Sequence, residues 1–283
     1  MKRFFCSAFL VLCAILLAAQ ITIAAPLESL YGAKQGEEVI VPIIMYHALE
    51  DNPSNRWEIT EEEFEADLHH LQSLGYNTVV MQDLIDFVNL GKPLPEKPIV
   101  LSFDDGRQPA LDILLTLLEK FDANVTMAII GAQTDKYTKI SSEQKDQSFP
   151  HMTWADVEKA TNSGRIEISC HSYDLHGGAG VGKKGSETES SYRTRLLADL
   201  QLFANVLHQN AGLTANSFVY PLGIFSELSD EIIKSAGYLT TLTCSERHNT
   251  ITFGDPSSLF KLGRYNRPPH KSSEAFFNAI GIH

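Results

Sequence analysis

Residues 99–106 read Ile-Val-Leu-Ser-Phe-Asp-Asp-Gly, and this stretch sets the fold that the sequence predicts. Its apolar start, rich in β-branched residues, is typical of a buried strand, and the Asp-Gly pair marks a turn directly after it. Similar strand-like runs occur at residues 39–46, 78–81, 124–130, 166–170, 217–220, 239–244 and 260–263. Helical patterns lie between them, at residues 60–74, 83–90, 111–121, 153–162, 191–209 and 230–236. This alternation predicts about seven parallel βα units, so the fold class is α/β.

Two stretches show neither a strand-like nor a helical pattern and are expected to be irregular. They are residues 133–150 and 177–190. The second begins Gly-Gly-Ala-Gly-Val-Gly-Lys-Lys, which is close to the spacing of a phosphate-binding loop. Lys184 stands where that loop needs a hydroxyl for Mg²⁺, and no apolar strand directly precedes Gly177. We therefore expect no nucleotide.

The N-terminus predicts export. Lys2 and Arg3 precede an apolar run at residues 4–19, and small residues follow at 22–26. This order is typical of a secretory signal peptide, and the run is short for a spanning helix, which needs about 20 residues. We expect a signal peptide at 1–25, a linker at 26–38 and one domain at 39–283. The protein is then secreted to the periplasm or cell surface, with no stable membrane span after cleavage.

The charge and the cysteine content indicate which partners to expect and whether a disulfide can form. The chain of 283 residues has 35 acidic and 23 basic side chains, for a net charge of −12. An anionic protein repels a phosphate backbone, so we expect no nucleic-acid partner. After loss of the signal peptide, Cys170 and Cys244 remain, both in apolar runs. Two buried thiols are the simpler interpretation, and a disulfide is the alternative in an oxidising compartment.

Acids and histidines follow two of the predicted strands. Asp104 and Asp105 end the strand at 99–103, and His171 and His176 begin after the strand at 166–170. The carboxyl ends of parallel strands meet at one face of an α/β barrel. Two histidines and one carboxylate form a metal site with open positions, and the second carboxylate is then free to act as a base.

Five ordered segments resemble polysaccharide deacetylases with the NodB-homology domain, carbohydrate esterase family 4, and in particular their secreted exopolysaccharide-deacetylase branch. They are SFDDG at 102–106, the run from 152 to 172, HSYDLH at 171–176, FVYPLG at 218–223 and residues 230–243. The resemblance covers about residues 39–270. It implies a distorted (β/α)₇ barrel, a divalent metal, usually Zn²⁺ with Co²⁺, Ni²⁺ or Fe²⁺ possible, and removal of acetyl groups. The expected substrate is an acetylated amino-sugar polymer, such as an exopolysaccharide, peptidoglycan or a chitin-like chain.

The resemblance also assigns roles residue by residue. It makes Asp105, His171 and His176 the metal ligands and Asp104 the catalytic base. It places the backbone N–H that stabilises the oxyanion in the turn at Leu222. The family's Leu-x-His, which supplies the general acid, is not evident here. We therefore favour His47, which ends the first strand, as the acid, with His270 as the alternative.

Departures from the family pattern leave other interpretations open. Val219 stands where many members have an arginine that orients the base, and either Arg264 or Arg267 is a candidate replacement. The altered motif is compatible with a protein that binds glycan without cleaving it. A metal site with open positions also suits a different metal-dependent reaction, such as that of an iron(II) oxygenase.

Other aromatic and histidine residues have less specific interpretations. Trp154 is expected to pack rather than to line the cleft, and Tyr46 and Tyr173 either stack on a sugar or pack in the core. The remaining histidines are predicted to lie at the surface: His69, His70, His151, His208, His248 and His283.

Overall fold

The computed structural model describes residues 32–108, 111–140, 150–178 and 180–283. The predicted signal peptide lies outside these ranges, as do residues 26–31 of the predicted linker. The strands are β1 (Glu38–Val41), β2 (Ile43–Tyr46), β3 (Ala48–Leu49), β4 (Glu58–Ile59), β5 (Asn77–Val79), β6 (Pro98–Phe103), β7 (Val125–Ile129), β8 (Ile166–Cys170), β9 (Ser217–Val219), β10 (Thr240–Leu242), β11 (Asn249–Thr252) and β12 (Tyr265–Asn266).

Helices connect most of these strands. They are α1 (Glu61–Ser73), α2 (Met81–Leu90), α3 (Leu111–Lys120), α4 (Gly131–Lys139), α5 (Trp154–Asn162), α6 (Glu189–Ala211), α7 (Ser229–Ser235) and α8 (Ser273–Ala279), with short 3₁₀ turns at Pro221–Gly223 and Pro256–Leu259. In the part of the chain that the structure describes, no helix combines the length and the apolar character that crossing a bilayer requires.

The main sheet has eight strands and is parallel throughout. Its order is β10-β9-β8-β7-β6-β2-β12, and β5 pairs with the first half of β6 while β7 pairs with the second half. The sheet curls back toward its own first edge, because Leu262, shortly before β12, forms a parallel bridge to Leu242 in β10. The predicted distorted α/β barrel in a single domain is therefore confirmed as a curled parallel sheet.

Two apolar layers hold the sheet, one on each face. Alternate side chains of β6 divide between them: Leu101 and Phe103 pack with the helices outside the sheet, whereas Val100 belongs to the smaller cluster inside. Because side chains alternate along a strand, Ser102 and then Asp104 follow Val100 on the inner face. The strand pattern therefore delivers Asp104 to the interior at the carboxyl end of the sheet.

The structure corrects two of the predicted strands. Residues 39–46 form β1 and β2 rather than one strand, since Pro42 lacks the N–H that a continuous ladder needs. β1 instead pairs antiparallel with β11, a pairing that the sequence did not predict. Residues 260–263 do not form one of the strands of the sheet, and the short strand β12 follows at Tyr265–Asn266.

The predicted irregular stretch at 133–150 is wrong in its first part, because α4 covers Gly131–Lys139. The N–H groups of Gly131 and Ala132 donate to the carbonyls of Ser172 and Tyr173, at 3.2 and 2.8 Å. Carbonyl groups of a distant loop thus accept the first N–H groups of this helix, which are usually bonded by a nearby side chain. The sequence around residue 131 contains no side-chain cap and little apolar periodicity, so it gave no local signal.

Candidate active site

A cavity of about 400 Å³ opens at the carboxyl ends of β2, β6 and β8. Most of the residues singled out from the sequence line it, together with others that were not. The lining residues that bear on chemistry are His47, Trp57, Asp104, Asp105, His171, His176, Leu222 and Cys244.

The predicted metal ligands converge on one point. Asp105 Oδ1 lies 3.1 Å from His176 Nε2 and 3.4 Å from His171 Nε2. One ligand atom from each residue lies within 4.8 Å of the other two. Asp105 has a left-handed backbone with φ of 70°, which turns its side chain into the cavity that Asp104 also faces. Adjacent carboxylates on one strand end therefore reach the same space.

The chemistry of these three residues fits a divalent cation. Asp105 Oδ1 is buried and has no hydrogen-bond partner among the described residues, although such an atom normally has one. His171 Nδ1 lies 2.9 Å from the carbonyl oxygen of Val219, to which it donates. This bond fixes the tautomer and leaves the lone pair of Nε2 directed at the shared point, as in known metal-binding histidines. Val219, which stands where many family members have an arginine, thus holds the predicted ligand His171 through its backbone carbonyl.

Electrostatics within the triad favour a charged carboxylate. Burial would raise the pKa of Asp105, but the imidazole groups of His171 and His176, at 3.4 and 3.1 Å from Oδ1, outweigh burial and hold the pKa well below its usual value. For His176 the effects are reversed: burial would lower its pKa, but the neighbouring Asp105 carboxylate outweighs burial and raises it. The carboxylate is therefore ionised at neutral pH, as a metal ligand must be.

Asp104 lies beside the triad and has a separate partner. The Arg264 guanidinium donates from Nη1 to Oδ1 at 2.7 Å and from Nη2 to Oδ2 at 2.9 Å. Arg264 is completely buried and also donates to Ser102 Oγ and to the Thr243 carbonyl, at 2.9 Å each. Burial alone would raise the pKa of Asp104, but the charge of Arg264 lowers it overall.

Arg267, the other candidate for orienting Asp104, contacts a different acid. It donates from Nε and Nη2 to the two carboxylate oxygens of Asp67, at 2.8 and 3.1 Å, and Tyr46 donates to the same carboxylate at 3.1 Å. All three side chains are buried outside the cavity lining. Tyr46 is thus a core residue.

His47 faces Asp104 across the cavity. Its Nε2 lies 4.0 Å from Asp104 Oδ2, and burial is the main cause of its lowered pKa. His270, the alternative acid, is exposed, and its backbone N–H donates to Glu63. It does not line the cavity, so of the two candidates only His47 is positioned near the base.

Leu222 lines the cavity from the 3₁₀ turn that follows β9, and its backbone is left-handed, with φ of 57°. The turn needs the next residue, Gly223, because a Cβ there would lie 2.9 Å from the Cβ of Cys244. Cys244 lines the cavity as a free thiol, and Cys170 is a second free thiol in the core. The structure therefore has the two separate thiols of the simpler interpretation.

His151 is a site residue that the sequence analysis wrongly placed at the surface. Its Nδ1 donates to the backbone carbonyl of Asp105 at 2.8 Å, and burial lowers its pKa. It lines a second, adjoining cavity of about 490 Å³ together with Arg107, Gln133, Asp174 and His176. An antiparallel bridge between Arg107 and His151 builds this wall. Residue spacing gives no hint of such a contact across 46 positions.

Trp57 is a second site residue that the sequence did not indicate. Its ring centroid lies 4.7 Å from that of His47, and it is 39% exposed at the cavity. The backbone N–H of Trp57 donates to Asn55 Oδ1 at 2.9 Å, and the Asn55 side chain donates to Glu58 at 2.7 Å. This rigid loop presents an aromatic surface beside His47.

The other aromatic and histidine residues lie away from the main cavity. The Trp154 indole and the Tyr173 hydroxyl both donate to Asp135, so Trp154 packs as predicted. His70 is partly buried against Phe277, and His248 contacts the Ile280 carbonyl. The histidines that are exposed as predicted are His69, His208 and His283.

Known proteins resemble this chain in sequence. The family model for polysaccharide deacetylase matches residues 91–241. A poly-beta-1,6-N-acetyl-D-glucosamine N-deacetylase of Escherichia coli K12 is 26% identical over 218 residues, or 69% of this chain. A protein of the same name from Staphylococcus aureus MSSA476 is 19% identical over 199 residues, 70% of this chain and 65% of that protein. The chain spans only 32% of the length of the E. coli protein.

Solved structures agree with the fold. A de-N-acetylase from Aggregatibacter actinomycetemcomitans has a TM-score of 0.67 at 23% identity, covering 80% of this chain and 94% of that one. IcaB from Ammonifex degensii has a TM-score of 0.65 at 24% identity, covering 82% and 92%. The family match spans more than half of the chain and includes the acid pair, both ligand histidines and the turn at Leu222. The chain therefore belongs to the polysaccharide deacetylase family.

Proposed function

We propose that the protein is a secreted, metal-dependent deacetylase that removes N-acetyl groups from an amino-sugar polymer. One observation carries this proposal. Asp104, held by Arg264, lies beside the Asp105, His171 and His176 triad but outside it, with His47 opposite at 4.0 Å. A hydrolase needs such a free base next to its metal ligands, whereas a purely structural metal site does not.

The metal would be held by Asp105 Oδ1 and the Nε2 atoms of His171 and His176. Nitrogen ligands and one carboxylate suit Zn²⁺ best, and Co²⁺, Ni²⁺ or Fe²⁺ fit the same donors. When bound, such an ion supplies a Lewis acid for the acetyl carbonyl and lowers the pKa of water. The three protein ligands leave open positions for substrate and water.

The chain's own residues provide the proton transfers. The carboxylate of Asp104 accepts a proton from the attacking water, and Arg264 keeps it ionised and correctly oriented until then. His47, in its protonated form, donates to the nitrogen that leaves as the sugar amine. Leu222 lines the cavity, and its backbone N–H would stabilise the oxyanion. The products are acetate and an amino sugar.

The shape of the site supports a polymer as substrate. The two cavities meet at Asp105, Arg107 and His176, so the cleft extends on both sides of the triad. The named relatives act on poly-beta-1,6-N-acetyl-D-glucosamine, which makes an exopolysaccharide of this type the first candidate here. Trp57 is 39% exposed at the cavity, and its ring, which lies close to both His47 and the Arg56 guanidinium, offers an aromatic surface for contact with a sugar ring.

Secretion is proposed from residues 1–25 and is independent of the cavity. N-terminal sequencing of the protein recovered from the periplasm or medium should begin near residue 26. A cytoplasmic protein that starts at Met1 would contradict this part of the proposal.

Acetate release from acetylated glucosamine oligomers, measured with and without added Zn²⁺, tests the activity. Asp104→Asn should lower kcat by about 10²- to 10⁴-fold while metal binding is retained. Asp67→Asn is the matched control, because Asp67 is also buried and accepts from two guanidinium nitrogens of an arginine, but lies outside the cavity. Glycan binding without acetate release at any metal loading would favour a binding protein, and oxygen-dependent turnover would favour an oxygenase.

A further inference from the structure

Asp199, on helix α6, lies against the loop that carries His176. Its Oδ1 accepts the backbone N–H of Tyr173 at 2.8 Å, and its Oδ2 accepts the backbone N–H of Asp174 at 2.8 Å. Only 9% of the residue is exposed. Charge-assisted hydrogen bonds of this kind are stronger than neutral ones, so the carboxylate fixes both peptide planes.

The same loop is also held through its carbonyl groups. The carbonyls of Ser172 and Tyr173 accept the first N–H groups of α4. Gly131 is required at that contact, because a Cβ there would lie 2.7 Å from Tyr173 Cδ2. Ser172 has φ of 67° and its Oγ accepts the N–H of Leu175 at 3.0 Å. The loop is therefore fixed from two sides, and among the described residues Asp199 is the charged side chain that accepts its backbone N–H groups.

The two ligand histidines differ in how they are held. His171 directly follows β8; its N–H donates to the Ile129 carbonyl, and its ring donates to the Val219 carbonyl. His176 is part of the loop and is partly exposed, and its ring contacts Asp105 and His171. The position of His176 therefore depends on the backbone between residues 172 and 175.

We infer that Asp199 is a positioning residue for the metal site, which sets His176 at the distance from His171 that a divalent cation requires. This inference rests on the proposed metal-dependent function. A carboxylate that accepts both N–H groups removes alternative loop conformations, so the entropy of ordering His176 is lost on folding rather than on metal binding. Removing the Asp199 carboxylate should therefore lower the affinity for metal, although no ligand residue is changed.

The chain contains a matched control for the loss of such a carboxylate. Glu167, on β8, accepts the backbone N–H groups of Met81 and Gln82 at 2.7 and 3.4 Å. It belongs to the strand that leads to His171 but lies at the other end, away from the cavity. Glu167→Gln therefore disturbs a similar pair of hydrogen bonds without reaching the ligand loop.

The test measures Zn²⁺ and Co²⁺ dissociation constants of the full chain by chelator competition, well below the melting temperature of each variant. We expect Asp199→Ala to raise Kd by about 10- to 100-fold, Asp199→Asn to raise it less because one acceptor oxygen remains, and Glu167→Gln to leave it unchanged. The Co²⁺ absorption spectrum should change in the Asp199 variants alone.

A second measurement uses the metal-free protein. The amides of Tyr173 and Asp174 should exchange slowly in the wild type and much faster in Asp199→Asn, even if Asp199→Ala fails to fold. Unchanged Kd and Co²⁺ spectrum in a folded Asp199 variant would overturn the inference and leave a merely structural residue. A wild-type chain that binds no divalent ion would instead overturn the proposed function.

Discussion

Arg264 and Asp104 are 160 positions apart and form a buried two-point ion pair. Each carboxylate oxygen accepts one guanidinium N–H, at 2.7 and 2.9 Å. This geometry leaves the remaining lone pairs of Asp104 in a fixed direction and keeps it ionised. A base that must accept a proton at one atom benefits from such fixed orientation. Arg264 therefore orients Asp104, the task that the family pattern would assign to an arginine at position 219.

Arg264→Lys tests this pairing. Lysine keeps the positive charge but cannot make two parallel hydrogen bonds, so Asp104 should lose its orientation and kcat should fall by about 10- to 100-fold with little change in KM. Arg267→Lys is the matched control, because it weakens an equally buried pair outside the cavity. Steady-state acetate release and thermal melting are measured for both. Equal kcat losses in the two variants would show that the effect is general destabilisation.

Metal removal should abolish activity and lower stability together. A cation that binds only the folded chain stabilises it by about 4 kcal/mol at a concentration 1,000 times its Kd. Dialysis against a chelator should therefore lower Tm by several degrees, and Zn²⁺ should restore both Tm and acetate release. The Zn²⁺-induced rise in Tm should persist in Asp104→Asn and disappear in His176→Ala. A persistent rise in the histidine variant would place the metal elsewhere.

The second cavity should contribute to binding of longer chains. Gln133 and Asp174 line it without belonging to the triad. Gln133→Ala should lower kcat/KM for a pentasaccharide by about 2- to 10-fold, the effect of one hydrogen bond, and leave a monosaccharide substrate unaffected. Gln201→Ala, on the exposed surface of α6, is the control. A uniform loss on all chain lengths would argue against a separate sugar position there.

Glu167 should make stability depend on pH. Burial, the largest effect, raises its pKa to about 7, from an ordinary value of 4.5. Below pH 4.5 the carboxyl is protonated in both the folded and the unfolded state, so it does not change the free energy of unfolding. Between pH 4.5 and 7 the unfolded chain ionises first, so the free energy of unfolding falls as pH rises, by up to about 3 kcal/mol.

Glu167→Gln removes this titration. Urea denaturation between pH 4.5 and 7.5 should show the variant gaining stability relative to the wild type as pH rises through that window. Since both proteins share every other titrating group, their difference isolates residue 167. Parallel stability curves would contradict the raised pKa.

The sequence by itself determined the α/β class, the family and a compact set of candidate site residues. This was possible because Asp104, Asp105, His171 and His176 directly follow buried strands. Strand ends in a parallel sheet share one face, so local patterns already imply a common location. The same local reasoning predicts the signal peptide at 1–25.

Only the tertiary structure shows which candidate arginine and which candidate histidine lie near Asp104. Arg264 rather than Arg267 contacts Asp104, and His47 rather than His270 faces it. The sequence could not choose because these contacts depend on strand pairing: β2 pairs with β6, which brings His47 to Asp104, and β12 pairs with β2, which brings Arg264 there.

The site role of His151 and the presence of helix α4 were not predicted from the sequence, for the same physical reason. His151 contacts a carbonyl 46 positions away, and the loop after His171 satisfies the first N–H groups of α4. Their placement depends on long-range backbone contacts, which leave no periodicity or spacing in the chain itself.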